Sequence, residues 1–255
     1  MQQGTIPPGV AGHNRSTVDP NFAAMPPQGI LESRLPGWPG TSVFFQTSPQ
    51  MGAKFVQALM VMPPGGTGLP KKFGGISHFY YILGSSCDIL IGNERHVLTT
   101  GGYAYIPPGT PHSLVAGPEG ARVASIRKPF DDAGLAPPPL IVSHTDQVAH
   151  RLRHTIGRSW QHLLPEEDLR YDFAVNILHF KPGTHFAMVE THIMEHGLLM
   201  LAGQGMYLLG RTWHEVWKDD FIWMGPYCPQ QFYPTGWEDS AYLLYKDVNR
   251  DVSFD

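Results

Sequence analysis

The chain has 255 residues, 42 % of them hydrophobic and only 16 % charged, with a formal net charge of −4. That is enough chain to bury a substantial core in one large or two smaller domains, and it excludes a disordered chain and, with no basic run, a nucleic-acid partner. No apolar stretch reaches the ~20 residues of a membrane span, and "MQQGTIPPGVAG" lacks the basic start and apolar middle of a signal peptide, so no membrane partner and a cytoplasmic location are expected.

Taken in chain order, residues 1–50 read as a Pro-rich N-terminal arm, suited to contacts within a homo-oligomer. The first half then carries "FVQALMVM" (55–62), "FYYILGS" (79–85), "CDILIG" (87–92) and "YAYIPPG" (103–109). The second half carries "AVNILHF" (174–180), "GLLMLAG" (197–203), "MYLLG" (206–210), "FIWMG" (221–225) and "AYLLY" (241–245). These runs are rich in β-branched, aromatic and aliphatic residues, are bounded by Gly, Pro or Asp, and mostly end within eight residues, which predicts short strands. Between the two groups, "HTDQVAHRLRH" (144–154), capped by Thr145 or Asp146, and "LPEEDLR" (164–170), with Pro165 and three acids in a first turn, predict two short helices. Glycine and proline together make up about a fifth of the chain against an ordinary share of roughly 12 %, which fits such fragmentation. Cys87 and Cys228 are too few for a disulfide framework and are expected to be reduced.

The two groups repeat each other. "FVQALMVMPPGG" from Phe55 matches "FAVNILHFKPGT" from Phe173, and "FYYILGSSCDILIG" from Phe79 matches "LLMLAGQGMYLLG" from Leu198. "YIPPGTPH", ending at His112, matches "WMGPYCPQ", ending at Gln230, and "SIRK", ending at Lys128, falls on "LLYK", ending at Lys246. Four blocks in one order at an offset of about 118 residues identify a tandem duplication of one small all-β unit. The predicted organisation is an arm over 1–50, a first unit over 51–135, a linker with a short helix over 136–170 and a second unit over 171–255.

The spacing of Gly101, Pro107, Gly109 and His112 resembles the second motif of the cupins, small jelly-roll β-barrels, so the chain resembles a bicupin. The first cupin motif has two metal-binding positions two apart, a third ligand four further on and a glycine seven beyond that. Glu190, His192, His196 and Gly203 have this spacing, and Gln230 stands where the last histidine of the second motif would be. The resemblance thus implies a metal site of Glu190, His192, His196 and Gln230, in place of the commoner three histidines and one glutamate. Strand parity agrees: Glu190 and His192 share a face, His196, Leu198 and Met200 share a face on the next strand, and Gln230 arrives from a distant strand. Glu195 has the opposite parity and reads as a solvated or supporting carboxylate.

Registered on Gly84 against Gly203, the first copy offers Lys71, Phe73 and Ser77 at the ligand positions, which is no ligand set, while His78 lies one residue out of register; a one-residue shift would rescue it and allow a second site from His78 and His112. The first barrel therefore reads as degenerate and without metal, with His112 a buried, hydrogen-bonded histidine. In the second, one carboxylate, two imidazoles and an amide without thiolate favour a hard to borderline divalent ion, Mn²⁺ first. In "SAYLLYKD", Tyr242, Leu244 and Lys246 share one face, and a lysine there is costly to bury unless it meets an anion.

"VETHIMEHGLLMLAGQGMYLLG", "WMGPYCPQ" and "YLLYKDVNRD" resemble the (S)-ureidoglycine aminohydrolases, bicupins of purine catabolism, and the resemblance extends through "FGG" at Phe73, "GGYAYIPPG" at Gly101 and "YDFAVNILHFKPG" at Tyr171. It implies one Mn²⁺ per chain in the C-terminal cupin on Glu190, His192, His196 and Gln230, and a small anionic ureido substrate contacted by Tyr207, Tyr242, Lys246 and Glu190. The implied reaction is hydrolysis of (S)-ureidoglycine to (S)-ureidoglycolate and ammonia, with Glu190 and Lys246 as catalytic groups. Three other readings share the motifs: a metal-cupin dioxygenase or decarboxylase, an aminohydrolase of a related ureido or amino acid, and a ligand-binding cupin without chemistry.

Overall fold

The structure, a computed structural model, describes residues 15–70, 74–152, 156–247 and 250. It is built almost wholly of antiparallel strands. The sheet of the first half runs, neighbour to neighbour, Ile141–His144, Gly102–Ile106, Ile76–Ile91, His112–Pro129, Val56–Met62 and Ser42–Thr47, with Thr67–Gly68 and Glu94–Thr99 paired alongside. The sheet of the second half runs Thr17–Asp19, Phe22–Met25, Phe221–Met224, His196–Ala202, Ser240–Asp247, Phe173–Phe180, Arg158–His162 and Arg151–Leu152. A three-stranded sheet of Thr212–Trp217, Gln204–Leu209 and Gln230–Pro234 faces it.

Two connecting segments complete the barrels. Phe22–Met25, from the N-terminal arm, pairs with Phe221–Met224 of the second barrel, and Arg15 is ion-paired with Asp220. Ile141–His144, from the linker, pairs with Gly102–Ile106 of the first. Backbone groups of these edge strands thereby find partners that water would otherwise supply.

Alternation sorts the side chains into three apolar clusters. Along Ser240–Asp247, Tyr242 and Leu244 enter the interior of the second barrel with Phe180, Leu198, Met200 and Phe232. Tyr80, Ile82, Ile89, Leu114 and Val123 fill the first barrel. Leu243 and Tyr245, at the opposite parity, join Phe55, Phe79, Ile126, Phe173 and Trp223 between the barrels. There Phe55 stacks on Tyr245 with ring centroids 3.9 Å apart, and a Cβ at Gly197 would stand 2.5 Å from the Phe55 ring. Burying each such side chain contributes roughly 1.5–3 kcal/mol, so the two barrels share a core. Cys87 and Cys228 are both buried and unpaired, one in each barrel interior.

Neither predicted helix forms. Within "HTDQVAHRLRH" only a 3-10 turn, Thr145–Gln147, is present, capped by the His144 side chain, which accepts from the Asp146 N–H, and Arg151–Leu152 is a strand. The last two residues of that segment lie outside the described residues. "LPEEDLR" is a series of turns. Its acids serve other partners: Glu166 pairs with Lys246, and Asp168 accepts from Arg170 Nε at 2.9 Å. Local propensity for a helix this short is weak enough for such tertiary contacts to override it.

The first copy also corrects its register. In the second barrel the strand from His196 skips Leu201 in its pairing with Ser240–Asp247, and Gly203 then takes a left-handed φ of 73°. In the first, the strand through His78 skips Leu83, and Ser85 takes a φ of 60°. Ser85, not Gly84, is thus the counterpart of Gly203, and His78 the counterpart of His196. A glycine beside a left-handed serine misled the alignment by one residue, which in a strand reverses every face. Lys128 consequently turns to the outside of its barrel, where it meets Asp172 at 2.6 Å. Arg127, paired with His78, is the interior counterpart of Lys246, which is paired with His196. Lys71 and Phe73, the other positions read from that alignment, lie outside the described residues.

Candidate active site

A cavity of about 180 Å³ opens in the second barrel, and Glu190, His192, His196, Tyr207, Gln230, Tyr242 and Lys246 all line it. Every residue singled out for the site is therefore in one place, although the elements differ from expectation. Glu190 and His192 lie outside any continuous strand: Glu190 makes an isolated bridge to Gln230, exchanging backbone N–H to O bonds of 2.9 Å in both directions. This bridge ties the loop to the Gln230–Pro234 strand. His196 opens the strand His196–Ala202 and faces inward with Leu198 and Met200.

Three side-chain tips converge. His196 Nε2 stands 3.2 Å from His192 Nε2, and Gln230 Nε2 stands 2.7 Å from the same His192 nitrogen. The two amide tips of Gln230 exchange places on a half-turn, so its carbonyl oxygen can occupy that position. Burial drives the imidazole of His196 down to about 3, with the neighbouring His192 and Lys246 adding to it. Burial also lowers His192. Both rings are therefore neutral at pH 7 and hold lone pairs free for a metal, which is the donor chemistry that a divalent ion requires. The carboxylate of Glu190 stands apart from the trio, and among the described residues no three side chains of the His, Cys, Asp and Glu types are close enough together to hold an ion. Glu190 lines the same cavity, and its carboxylate has no hydrogen bond or ion pair among the described residues. Two imidazoles, an amide and this carboxylate fit a hard to borderline divalent ion.

Lys246 is only 8 % exposed. It does meet an anion, and that anion belongs to the protein: Nζ lies 2.9 Å from Glu166 Oε1. Glu166 also accepts from Asn176 Nδ2 at 2.8 Å and lies 3.2 Å from His162 Nδ1. Burial alone would push its carboxyl up, but bonds from His162, Lys246 and Asn176 outweigh it and hold Glu166 well below the usual carboxylate range. Glu166 was missed in the sequence because "LPEEDLR" reads as a helix start. Arg158 was missed as well. It is 3 % exposed, lines the cavity, and lies over the Phe186 ring at 3.8 Å. The alternation of Arg158 with Trp160 along "GRSWQH" carries the signal of a strand but not the direction of its charge.

Tyr207 and Tyr242 are buried with ring centroids 6.4 Å apart. Burial raises both hydroxyls far above their ordinary value, so they stay protonated donors. Of the two readings of Glu195, solvated or supporting, the structure gives the supporting one. Glu195 points away from the cavity, as its parity required, and is 1 % exposed. It accepts from Trp223 Nε1 at 2.7 Å and from the Lys54 backbone N–H at 3.1 Å, clamping the strand of His196 to the first barrel.

Paired jelly-roll barrels with this polar cluster in the interior of one define a bicupin enzyme. No family model matches the chain. It is 37 % identical over 246 residues to the probable (S)-ureidoglycine aminohydrolase of Oryza sativa, covering 94 % of this chain and 77 % of that protein. It is 34 % identical to the (S)-ureidoglycine aminohydrolase of Escherichia coli, covering 91 % and 90 %. Among solved structures, the Escherichia coli protein Ylba superposes with a TM-score of 0.84 at 30 % identity, over 95 % of this chain and 97 % of that one. Bacillus subtilis oxalate decarboxylase, with a TM-score of 0.69 at 11 % identity over 92 % of this chain and 79 % of that one, shares the fold. The chain belongs to the (S)-ureidoglycine aminohydrolase family.

Proposed function

We propose that the chain hydrolyses (S)-ureidoglycine to (S)-ureidoglycolate and ammonia in a Mn²⁺-dependent reaction within purine catabolism. The observation that carries this reading is the convergence of His192, His196 and Gln230 in one small cavity with Glu190 and a buried lysine, in a chain of this family. His192, His196 and Gln230 would hold the ion, and rotation of the Glu190 side chain would add its carboxylate. When bound, Mn²⁺ supplies Lewis acidity, polarising oxygen ligands and lowering the pKa of water.

The residues of the chain account for the rest. An ammonium has three donors, so Lys246 can keep Glu166 and still bind the substrate carboxylate. Tyr207 and Tyr242, held protonated by burial, donate to the carboxylate or the ureido carbonyl. The reaction forms a C–O bond from water to the α-carbon and breaks the C–N bond to the amine. Glu190 takes the proton from water and returns it to the departing nitrogen, so ammonia leaves without net change in the protein. Leu178, Phe186 and Leu244 line the cavity and keep bulk water from the reactive aminal. Incubating the Mn²⁺-loaded protein with freshly generated (S)-ureidoglycine should release ammonia and ureidoglycolate in equal amounts; release no faster than the spontaneous rate would refute the assignment.

A further inference from the structure

The first barrel keeps a polar interior that the reaction does not use. A cavity of about 420 Å³ lies at its mouth, with Leu35, Trp38, Phe55 and Ile76 in its walls and His78 and Arg127 as the ionisable groups among its described lining residues. His78 and Arg127 occupy the positions that His196 and Lys246 hold in the second barrel. His112 stands behind His78, ring centroids 4.8 Å apart.

The protons of this group can be assigned. His112 Nδ1 lies 2.9 Å from the Thr110 carbonyl and must donate to it. Its Nε2 then accepts from the Tyr80 hydroxyl at 2.9 Å, and Tyr80 Oη accepts in turn from His78 Nδ1 at 3.3 Å. The lone pair of His112 that a metal would need is thus engaged. Tyr80 is held protonated by burial, which raises its hydroxyl, so it offers Arg127 no negative charge. No carboxylate among the described residues forms an ion pair with Arg127. Lys246 has Glu166 beside it, whereas Arg127 stands half-buried against an apolar cavity. A desolvated cation in that setting is costly until an anion reaches it.

The geometry points to a second binding site, in the first barrel, for a small organic carboxylate with an apolar body. The guanidinium fork matches a carboxylate with two parallel bonds, and the apolar lining of Leu35, Trp38 and Ile76 takes the hydrocarbon part. One cation balances one negative charge, which disfavours a phosphate dianion. The size suits a specific small-molecule pocket. This site is separate from the reaction cavity and does not rest on the activity proposed above.

Titrating the full-length, Mn²⁺-loaded protein with 4-fluorobenzoate, observed by ¹⁹F NMR, tests it. Saturable binding of one equivalent is expected, at least tenfold weaker for neutral 4-fluorobenzamide, at least tenfold weaker in Arg127→Met, and within about threefold of the parent in Lys246→Met. Filling the cavity by Ile76→Trp should block binding without touching the charge, and an unchanged far-UV circular dichroism spectrum of Arg127→Met reports that it folds. Equal binding of acid and amide, loss in Lys246→Met rather than Arg127→Met, or no saturable binding at millimolar probe would overturn the proposal.

Discussion

Lys246→Met probes the part of the site that depends most on tertiary structure. Its Nζ lies 2.9 Å from Glu166 Oε1, with the two side chains 10 % and 15 % exposed. Met retains most of the apolar stem, so packing persists while the charge goes. Losing one charge-assisted bond to the substrate carboxylate costs on the order of 1.5–3 kcal/mol, and at about 1.4 kcal/mol per factor of ten kcat/KM should fall about tenfold to a hundredfold. The same change takes away the cation beside Glu166 and leaves it His162 and Asn176 among its partners. Removing one partner of a buried pair costs about 3–5 kcal/mol; at the lower end, for a chain of this size, that is a Tm drop of roughly 6–12 °C. Adding Glu166→Gln should recover most of the Tm, since an amide needs no cation, and recover none of the activity. Thermal unfolding and steady-state ammonia release read the two effects separately. Activity within twofold of the parent would refute the substrate role of Lys246, and an equal Tm loss in the single and double variants would refute the coupling to Glu166.

Burial pushes the Glu195 carboxyl up to about 7, so the folded state holds that proton more tightly than the unfolded one. Its contribution is complete below the ordinary glutamate value of about 4.3 and is lost as pH rises through 7, a change on the order of 3 kcal/mol. Glu195→Gln should flatten that fall in denaturant unfolding compared at pH 5 and pH 8; an unaltered slope would contradict the buried carboxyl as its source. Elemental analysis after Mn²⁺ loading should give about one equivalent per chain, abolished by His196→Ala and kept by His112→Ala, and the reverse pattern would move the metal to the first barrel. Gln230→His, replacing a carbonyl oxygen by an imidazole nitrogen, should shift metal preference from Mn²⁺ toward Zn²⁺ or Ni²⁺, and an unchanged preference in competition binding would exclude Gln230 as a ligand.

The all-β class, the duplication and the gathering of Glu190, His192, His196, Tyr207, Gln230, Tyr242 and Lys246 in one cavity were legible in the sequence alone. Strand parity is local: a two-residue period assigns Tyr242, Leu244 and Lys246 to one face before any fold is known, and motif spacing brings the ligand positions together wherever a barrel closes. What parity cannot tell is which partner a buried charge meets, because that partner comes from a segment distant in sequence. Lys246 finds Glu166 from a turn that reads as a helix, and Glu195 finds Trp223 and Lys54 across the barrel contact. Register across a bulge was likewise settled only in three dimensions. Ser85, against its own preference, takes the left-handed turn beside Gly84, so pairing with His112–Pro129 decides that His78 and Arg127 face inward. Helix signals over 144–154 and 164–170 failed for the same reason: a few tenths of a kcal/mol per residue of local propensity yields to ion pairs and strand pairing that exist only once the barrels have closed.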